Sequence, residues 1–195
     1  LFAQEPAPDP QAIEAIESAY RSFTDLTADF TQSTEIALVS KTVVKRGIFQ
    51  FKKDGKLRIE YQGQDAKHYV SDGSTIWTYI PGDEGSLQSY AADDRNIPKE
   101  ALSFMNGFGK LTKEFRVSVS GAFSRKDAGT ALHLIPVKKG THYESLDALF
   151  GPDHMLAELI VKNTSGNVTR YSFKNLRKDT GLPDGGFVDP EAPKG

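Results

Sequence analysis

The sequence predicts an α+β chain, mostly β: one strongly curved antiparallel sheet with a few short helices against one face. Three observations carry this. Residues 70–81 read Val-Ser-Asp-Gly-Ser-Thr-Ile-Trp-Thr-Tyr-Ile-Pro. Gly73 supplies the positive φ that a tight turn needs, a strand follows, and Pro81 ends it because proline cannot donate to a ladder. Upstream, Gly47 to Tyr61 is a second patterned stretch, with Leu57, Ile59 and Tyr61 alternating with Arg58 and Glu60. Before both, Ile13, Ile16, Tyr20 and Phe23 recur at helical spacing.

The helix is expected over 10–23, with Asp9 at its cap and Pro10 in its first turn. From Thr27 the period changes to two, through Ala28, Phe30, Gln32, Thr34 and Ile36. Val44 to Phe51, Leu57 to Tyr61, Lys67 to Ser71, Thr75 to Ile80 and Ser86 to Tyr90 continue the meander. Residues 91–114 break the alternation. There Asn96 and Pro98 start a short helix through Leu102, Phe104 and Met105, which Gly107 and Gly109 close before a loop. Strands resume at Phe115–Val119, Ala131–Val137, Glu144–Phe150, Met155–Lys162 and Val168–Lys174. The tail from Gly181 to Gly195, rich in Gly, Pro and Asp, is expected to lie extended on the surface, and residues 1–9 to be extended as well. No internal repeat or linker divides the 195 residues, so one domain over 1–195 is expected.

Composition excludes several functions. Net charge is −2, from 24 basic and 26 acidic residues, which supplies no field to hold nucleic acid. Cysteine is absent, which removes thiol catalysis, Cys-based zinc sites and disulfide scaffolds. No apolar run approaches the ~20 residues of a membrane-spanning helix. Leu1-Phe2-Ala3-Gln4 reads equally as the remnant of a secretory signal peptide and as a plain frayed terminus.

No catalytic constellation stands out. His68, His133, His142 and His154 lack the spacing of a metal site, and neither a phosphate loop nor a Gly-x-Ser-x-Gly elbow occurs. Asp29, Glu35, Glu60 and Asp65 alternate with apolar residues, as carboxylates on a solvated face do. Lys41, Lys45, Arg46, Lys52, Lys53, Lys56 and Arg58 read as a charged strand edge guarded against aggregation. No cofactor is expected.

The aromatic residues are the remaining signal. Phe30, Phe49, Phe51, Tyr61, Tyr69, Trp77 and Tyr79 all fall on the first strands. Helices of ~14 and ~10 residues span roughly 21 and 15 Å. A sheet of about ten strands is some 48 Å across before curling. Part of the apolar face is therefore unfilled, or is filled by a ligand. Its expected lining is Phe30, Phe49, Phe51, Leu57, Ile59, Tyr61 and Trp77, with Leu102, Phe104 and Met105 beneath the short helix.

In order along the chain, Leu26-Thr27-Ala28-Asp29-Phe30-Thr31-Gln32, Gly47 to Tyr61, Val70-Ser71-Asp72-Gly73, Trp77, Tyr79 and Pro81 resemble the LolA family of outer-membrane lipoprotein carriers. Phe104 to Gly109, Gly166 to Phe173 and Phe187-Val188-Asp189-Pro190 extend the resemblance over nearly the whole chain. The resemblance implies an incomplete antiparallel barrel with a helical lid over an apolar cavity. It implies a monomeric, non-enzymatic periplasmic carrier that takes acylated lipoproteins from an inner-membrane lipoprotein-releasing ABC transporter to an outer-membrane lipoprotein receptor. A lipid- or lipoprotein-sensing module and a glycolipid carrier are alternatives on the same fold. Where the family often has Arg-Pro, and the Arg fastens the closed lid, this chain has Lys53-Asp54, which makes Lys53 the expected gate residue. Some members continue past the Phe187–Pro190 region with a further strand that helps keep cargo from returning to the inner membrane, a feature this sequence leaves open.

Overall fold

The computed structural model describes residues 6–64, 66–91, 108–124, 129–139, 141 and 143–191. Helix α1 spans Pro10–Ser22. The Asp9 carboxylate accepts the Gln11 N–H at 2.9 Å, so the expected cap closes the first turn. Ile13, Ile16, Glu17 and Tyr20 form its buried stripe. Strands follow as β1 (Asp25–Ile36), β2 (Lys41–Lys52), β3 (Lys56–Gln62), β4 (His68–Asp72), β5 (Thr75–Ile80) and β6 (Asp83–Ala91). A 3-10 turn at Phe108–Lys110 and the one-turn helix α2 (Leu111–Glu114) stand where the sequence suggested a loop. Then come β7 (Phe115–Val119), β8 (Thr130–Pro136), β9 (Tyr143–Phe150), β10 (Leu156–Asn163) and β11 (Val168–Lys178).

The strands form one sheet in the order β6-β5-β4-β3-β2-β1-β11-β10-β9-β8-β7. This corrects the expected architecture. Among the described residues the sheet is open, with β6 and β7 as its two edges, and it is neither a closed β-barrel nor the strongly curved, incomplete barrel that was expected. Short turns and alternating strands specify antiparallel pairing between neighbours; they do not specify whether the first and last strands meet. The expected lid helix, with Leu102, Phe104 and Met105, lies outside the described residues.

The chain divides into two compact units: residues 1–22, 32–44 and 103–173, and residues 23–31, 45–102 and 174–195. In the first, α1 lays Tyr20 against Phe108 and Phe150, with ring centroids 5.3 and 6.2 Å away. Burial pushes the Tyr20 phenol upward, and its oxygen accepts the Leu156 N–H at 3.0 Å. Leu132 and Leu134 of β8 face Ala148 and Leu146 of β9, and all four are buried. Buried Glu17 accepts the Thr112 N–H at 3.1 Å near the start of α2 and pairs with Arg21 at 3.3 Å, which explains a carboxylate on the apolar stripe. At the sheet edge, the Val119 N–H donates to the Pro6 carbonyl at 3.0 Å.

In the second unit the C-terminal segment is tied down by the Asp25 carboxylate. It accepts the Thr180 N–H and hydroxyl at 2.8 and 2.9 Å, and the Gly181 and Leu182 N–H groups at 3.0 and 3.2 Å. Burial pushes this acid upward, but those donors outweigh it and hold it below the usual carboxylate range. Asp179 reciprocates, accepting the Thr24 N–H at 2.7 Å. A 3-10 turn at Asp184–Phe187 then carries Phe187 to 1% exposure. The tail is therefore anchored and partly buried, which its Gly/Pro-rich composition concealed.

Asp25→Asn is expected to lower stability at neutral pH by about 1–3 kcal/mol, since the amide has one acceptor oxygen and its NH₂ opposes the donors. The wild-type advantage should be full above pH ~4 and shrink as pH falls through the lowered folded-state value. Urea melts of both proteins across pH 2–7, the range set by ~4 and the lowered value, check this.

Candidate functional site

Register assigns the faces of the second unit. Phe51 pairs with Leu57, Phe49 with Ile59 and Gly47 with Tyr61. Leu57 pairs onward with Ser71, and Ile59 with Tyr69. Ser71 pairs with Ile76, and Tyr69 with Thr78. Directly paired residues share a face, so these side chains form one surface across β2–β5. Phe49, Phe51, Leu57 and Ile59 are each only 3–4% exposed on it. Phe23, just beyond α1, meets Phe51 edge-on at 6.3 Å between ring centres.

Phe30 joins this surface through Gly47. A Cβ at Gly47 would fall 2.7 Å from the Phe30 ring and 2.3 Å from the Glu60 carbonyl, so only glycine admits the ring. The ring then meets Tyr61 edge-on at 5.3 Å, and Tyr61 meets Tyr69 at 6.1 Å. Tyr61 is only half-buried, with the Lys45 ammonium 5.6 Å from its ring centre. The surface thus grades from closed aliphatic and Phe side chains to a wetter tyrosine margin.

Trp77 does not belong to it. It pairs with Val70, which pairs with Arg58, and these occupy the opposite face. The C-terminal turn lies on that opposite face as well. Lys52 and Lys56 both reach Asp184 at 2.8 Å, and Arg58 donates to the Gly186 carbonyl at 3.2 Å. The two lysines pull the Asp184 carboxyl down to about 2. Arg58 also contacts Glu60 at 2.6 Å and the Tyr79 hydroxyl at 3.2 Å. The side chains read as a solvated charged edge therefore include the clamp for the C-terminal segment. Phe187, nineteen residues beyond the start of the last expected strand, was the missed member, and the Phe187–Pro190 motif was its only sequence signal.

Lys53 is exposed in the β2–β3 turn, and its N–H donates to the Thr24 carbonyl at 3.0 Å. Asp54 and Gly55 there both have positive φ, 69° and 76°. The Asp72-Gly73 turn abuts it so closely that a Cβ on Gly73 would come 2.3 Å from the Asp54 carbonyl. The Asp72 carboxylate accepts the Ser74 and Thr75 N–H groups at 2.8 Å each, which shapes that hairpin.

In the first unit, a groove of about 540 Å³ runs between the start of α1 and β7, bounded by Pro10, Ile13, Glu14, Phe115 and Val117. None of the residues expected to line an acyl-chain cavity borders it. Ser120, just past β7, and His133 of β8 both bond Asp147 of β9, at 2.6 and 2.9 Å. The serine donates to the carboxylate rather than to the imidazole, so this is not a nucleophile–base relay. Among the described residues no group of three or more His, Asp or Glu could hold a metal ion.

An antiparallel, β-rich fold with one water-excluded apolar face and one charged face is the class these features define. The profile of the LolA family, described as outer membrane lipoprotein carrier protein, matches residues 21–188, and the chain belongs to that family. Membership makes it a periplasmic, non-catalytic protein. An outer-membrane lipoprotein carrier protein of Chromobacterium violaceum is 24% identical over 164 residues, covering 84% of this chain and 75% of that protein. A LolA superfamily protein of Nitrosomonas europaea superposes with a TM-score of 0.50 at 12% identity, over 94% of this chain and 98% of its own. The lipoprotein LppX of Mycobacterium tuberculosis does so with a TM-score of 0.50 at 10% identity, over 90% and 98%. At those identities the structural likeness speaks for the fold alone.

Two outcomes test the faces. Gly47→Ala should cost about 1–3 kcal/mol of stability, because neither the Glu60 carbonyl nor the Phe30 ring can yield freely. An acyl ligand entering the Phe49–Leu57 face should leave Trp77 emission nearly unchanged, since the indole sits behind the sheet; a titration with a saturated fatty acid reads this directly.

Proposed function

We propose that the protein shields the acyl chains of lipoproteins in the periplasm, receiving them from an inner-membrane lipoprotein-releasing ABC transporter and delivering them to an outer-membrane receptor. The observation that supports this is the water-excluded apolar face formed by Phe30, Phe49, Phe51, Leu57 and Ile59. An exposed ~16-carbon chain costs on the order of 10 kcal/mol in water, so a soluble carrier must offset much of that and still release its load. A face of Phe and aliphatic side chains offers alkyl chains contact without directional bonds, which suits cargo that differs in sequence beyond the lipid. These side chains are nearly sealed from water, so acyl chains enter as the covering groups withdraw. Exposed Lys53 sits at one end of the β2–β3 hairpin that carries the face, where it can act as a gate residue.

Inner-membrane vesicles loaded with lipoprotein and the transporter test the reading. The wild-type protein should bring lipoprotein into solution when ATP is supplied. Leu57→Glu, which sets a carboxylate on the apolar face, should cut release at least ~10-fold. Its far-UV CD spectrum and the wild-type activity of the back-face variant Trp77→Phe serve as controls. A folded wild-type protein that leaves all lipoprotein in the vesicles would overturn the proposal.

A further inference from the structure

We infer that the hairpin between β1 and β2 docks on an anionic phospholipid surface. Single exposed apolar residues need no explanation, but three here share one hairpin: Leu38 is 94% exposed, Val39 64% and Val44 59%. The tip is built rather than frayed. Residues Ala37–Val39 form a 3-10 turn, and Ser40 reverses the chain with φ of 48°. The Ala37 N–H donates to Asn167 Oδ1 at 3.2 Å, and the Thr34 and Thr169 hydroxyls meet at 3.2 Å just behind it. Leu38 and Val39 are thus presented outward by an anchored turn.

Charge selects the occupant. The chain as a whole carries net charge −2, yet the hairpin residues 35–46 hold Lys41, Lys45 and Arg46 against a single acid, Glu35. Lys41 follows the tip directly and is exposed. An apolar protrusion followed by cations matches the interface of a bilayer, where alkyl side chains enter the acyl boundary and ammonium groups stay at anionic headgroups. Two or three apolar side chains and a few cations give weak, reversible attachment, which a periplasmic shuttle needs at both membranes.

Flotation with protein-free vesicles of phosphatidylglycerol and phosphatidylethanolamine tests this. The wild-type protein should float with them, bind phosphatidylcholine vesicles less well, and dissociate as salt rises. Leu38→Glu with Val39→Glu should weaken binding at least ~10-fold. Lys41→Gln should weaken it about fivefold. Val137→Glu, at a lone exposed valine, should bind as the wild type does. Thermal melts confirm that the surface variants fold. Failure of the wild-type protein to float, or equal flotation of the Leu38/Val39 variant, overturns the inference. Association only with membranes that contain proteins overturns it too, and points to a protein pocket as the occupant. Binding of a fluorescent fatty acid separates this from the carrier proposal: it should survive in the Leu38/Val39 variant, and its loss together with flotation would overturn the docking role.

Discussion

Successive side chains of a strand point to opposite faces, and the unbroken register from β2 through β5 turns that elementary fact into two surfaces with different tasks. One holds Phe49, Phe51, Leu57 and Ile59. The other holds Arg58, Val70 and Trp77. A slip of one residue in β3 would send Arg58 and Glu60 into the apolar surface and Leu57 and Ile59 out of it. Gly47 and the two abutting turns guard against that slip. Gly47 accepts the Phe30 ring only when it lies opposite Tyr61, and Gly73 fits beneath the Asp54 carbonyl only when both hairpins close at their present residues.

The back surface is occupied by the chain itself. Asp25 gathers the start of the C-terminal segment, Lys52 and Lys56 hold Asp184, and Arg58 holds the Gly186 carbonyl. A buried carboxylate is tolerable at Asp25 only because four donors converge on it. The polar contacts of β3 to this segment thus fall on one face, while Leu57 and Ile59 on the other stay closed to water. Division of labour between the faces, rather than hydrophobicity of the sheet as a whole, gives β2–β5 one side closed to water.

Much of this was legible in the sequence, for identifiable reasons. Alternation at Leu57–Tyr61 and the Asp72-Gly73 turn are local properties, and the strands and turns they marked are present. Helix α1 began where Asp9-Pro10 placed it. Face membership across strands was less legible, because it depends on pairing. Trp77 was grouped with Leu57 by its aromaticity, and only the Arg58–Val70–Trp77 register shows the opposite orientation. The open sheet edges were illegible, since closure involves no local pattern. The clamp on Asp184 was equally hidden: its lysines lie 128 or more residues upstream of their partner, where composition reads them as solvated charge.

The proline spacing at the start of the chain has a consequence for solubility. Pro6, Pro8 and Pro10 fall at every second position, and the Pro6 carbonyl takes the outward N–H of Val119 on β7. Proline has no N–H, so this segment can accept from the edge strand but, at those positions, cannot donate to it. It occupies the edge without itself offering a complete ladder to a further strand. A terminal sheet strand is an invitation to intermolecular growth. Here the outward donor at Val119 is already taken by a segment whose prolines cannot pass a ladder on.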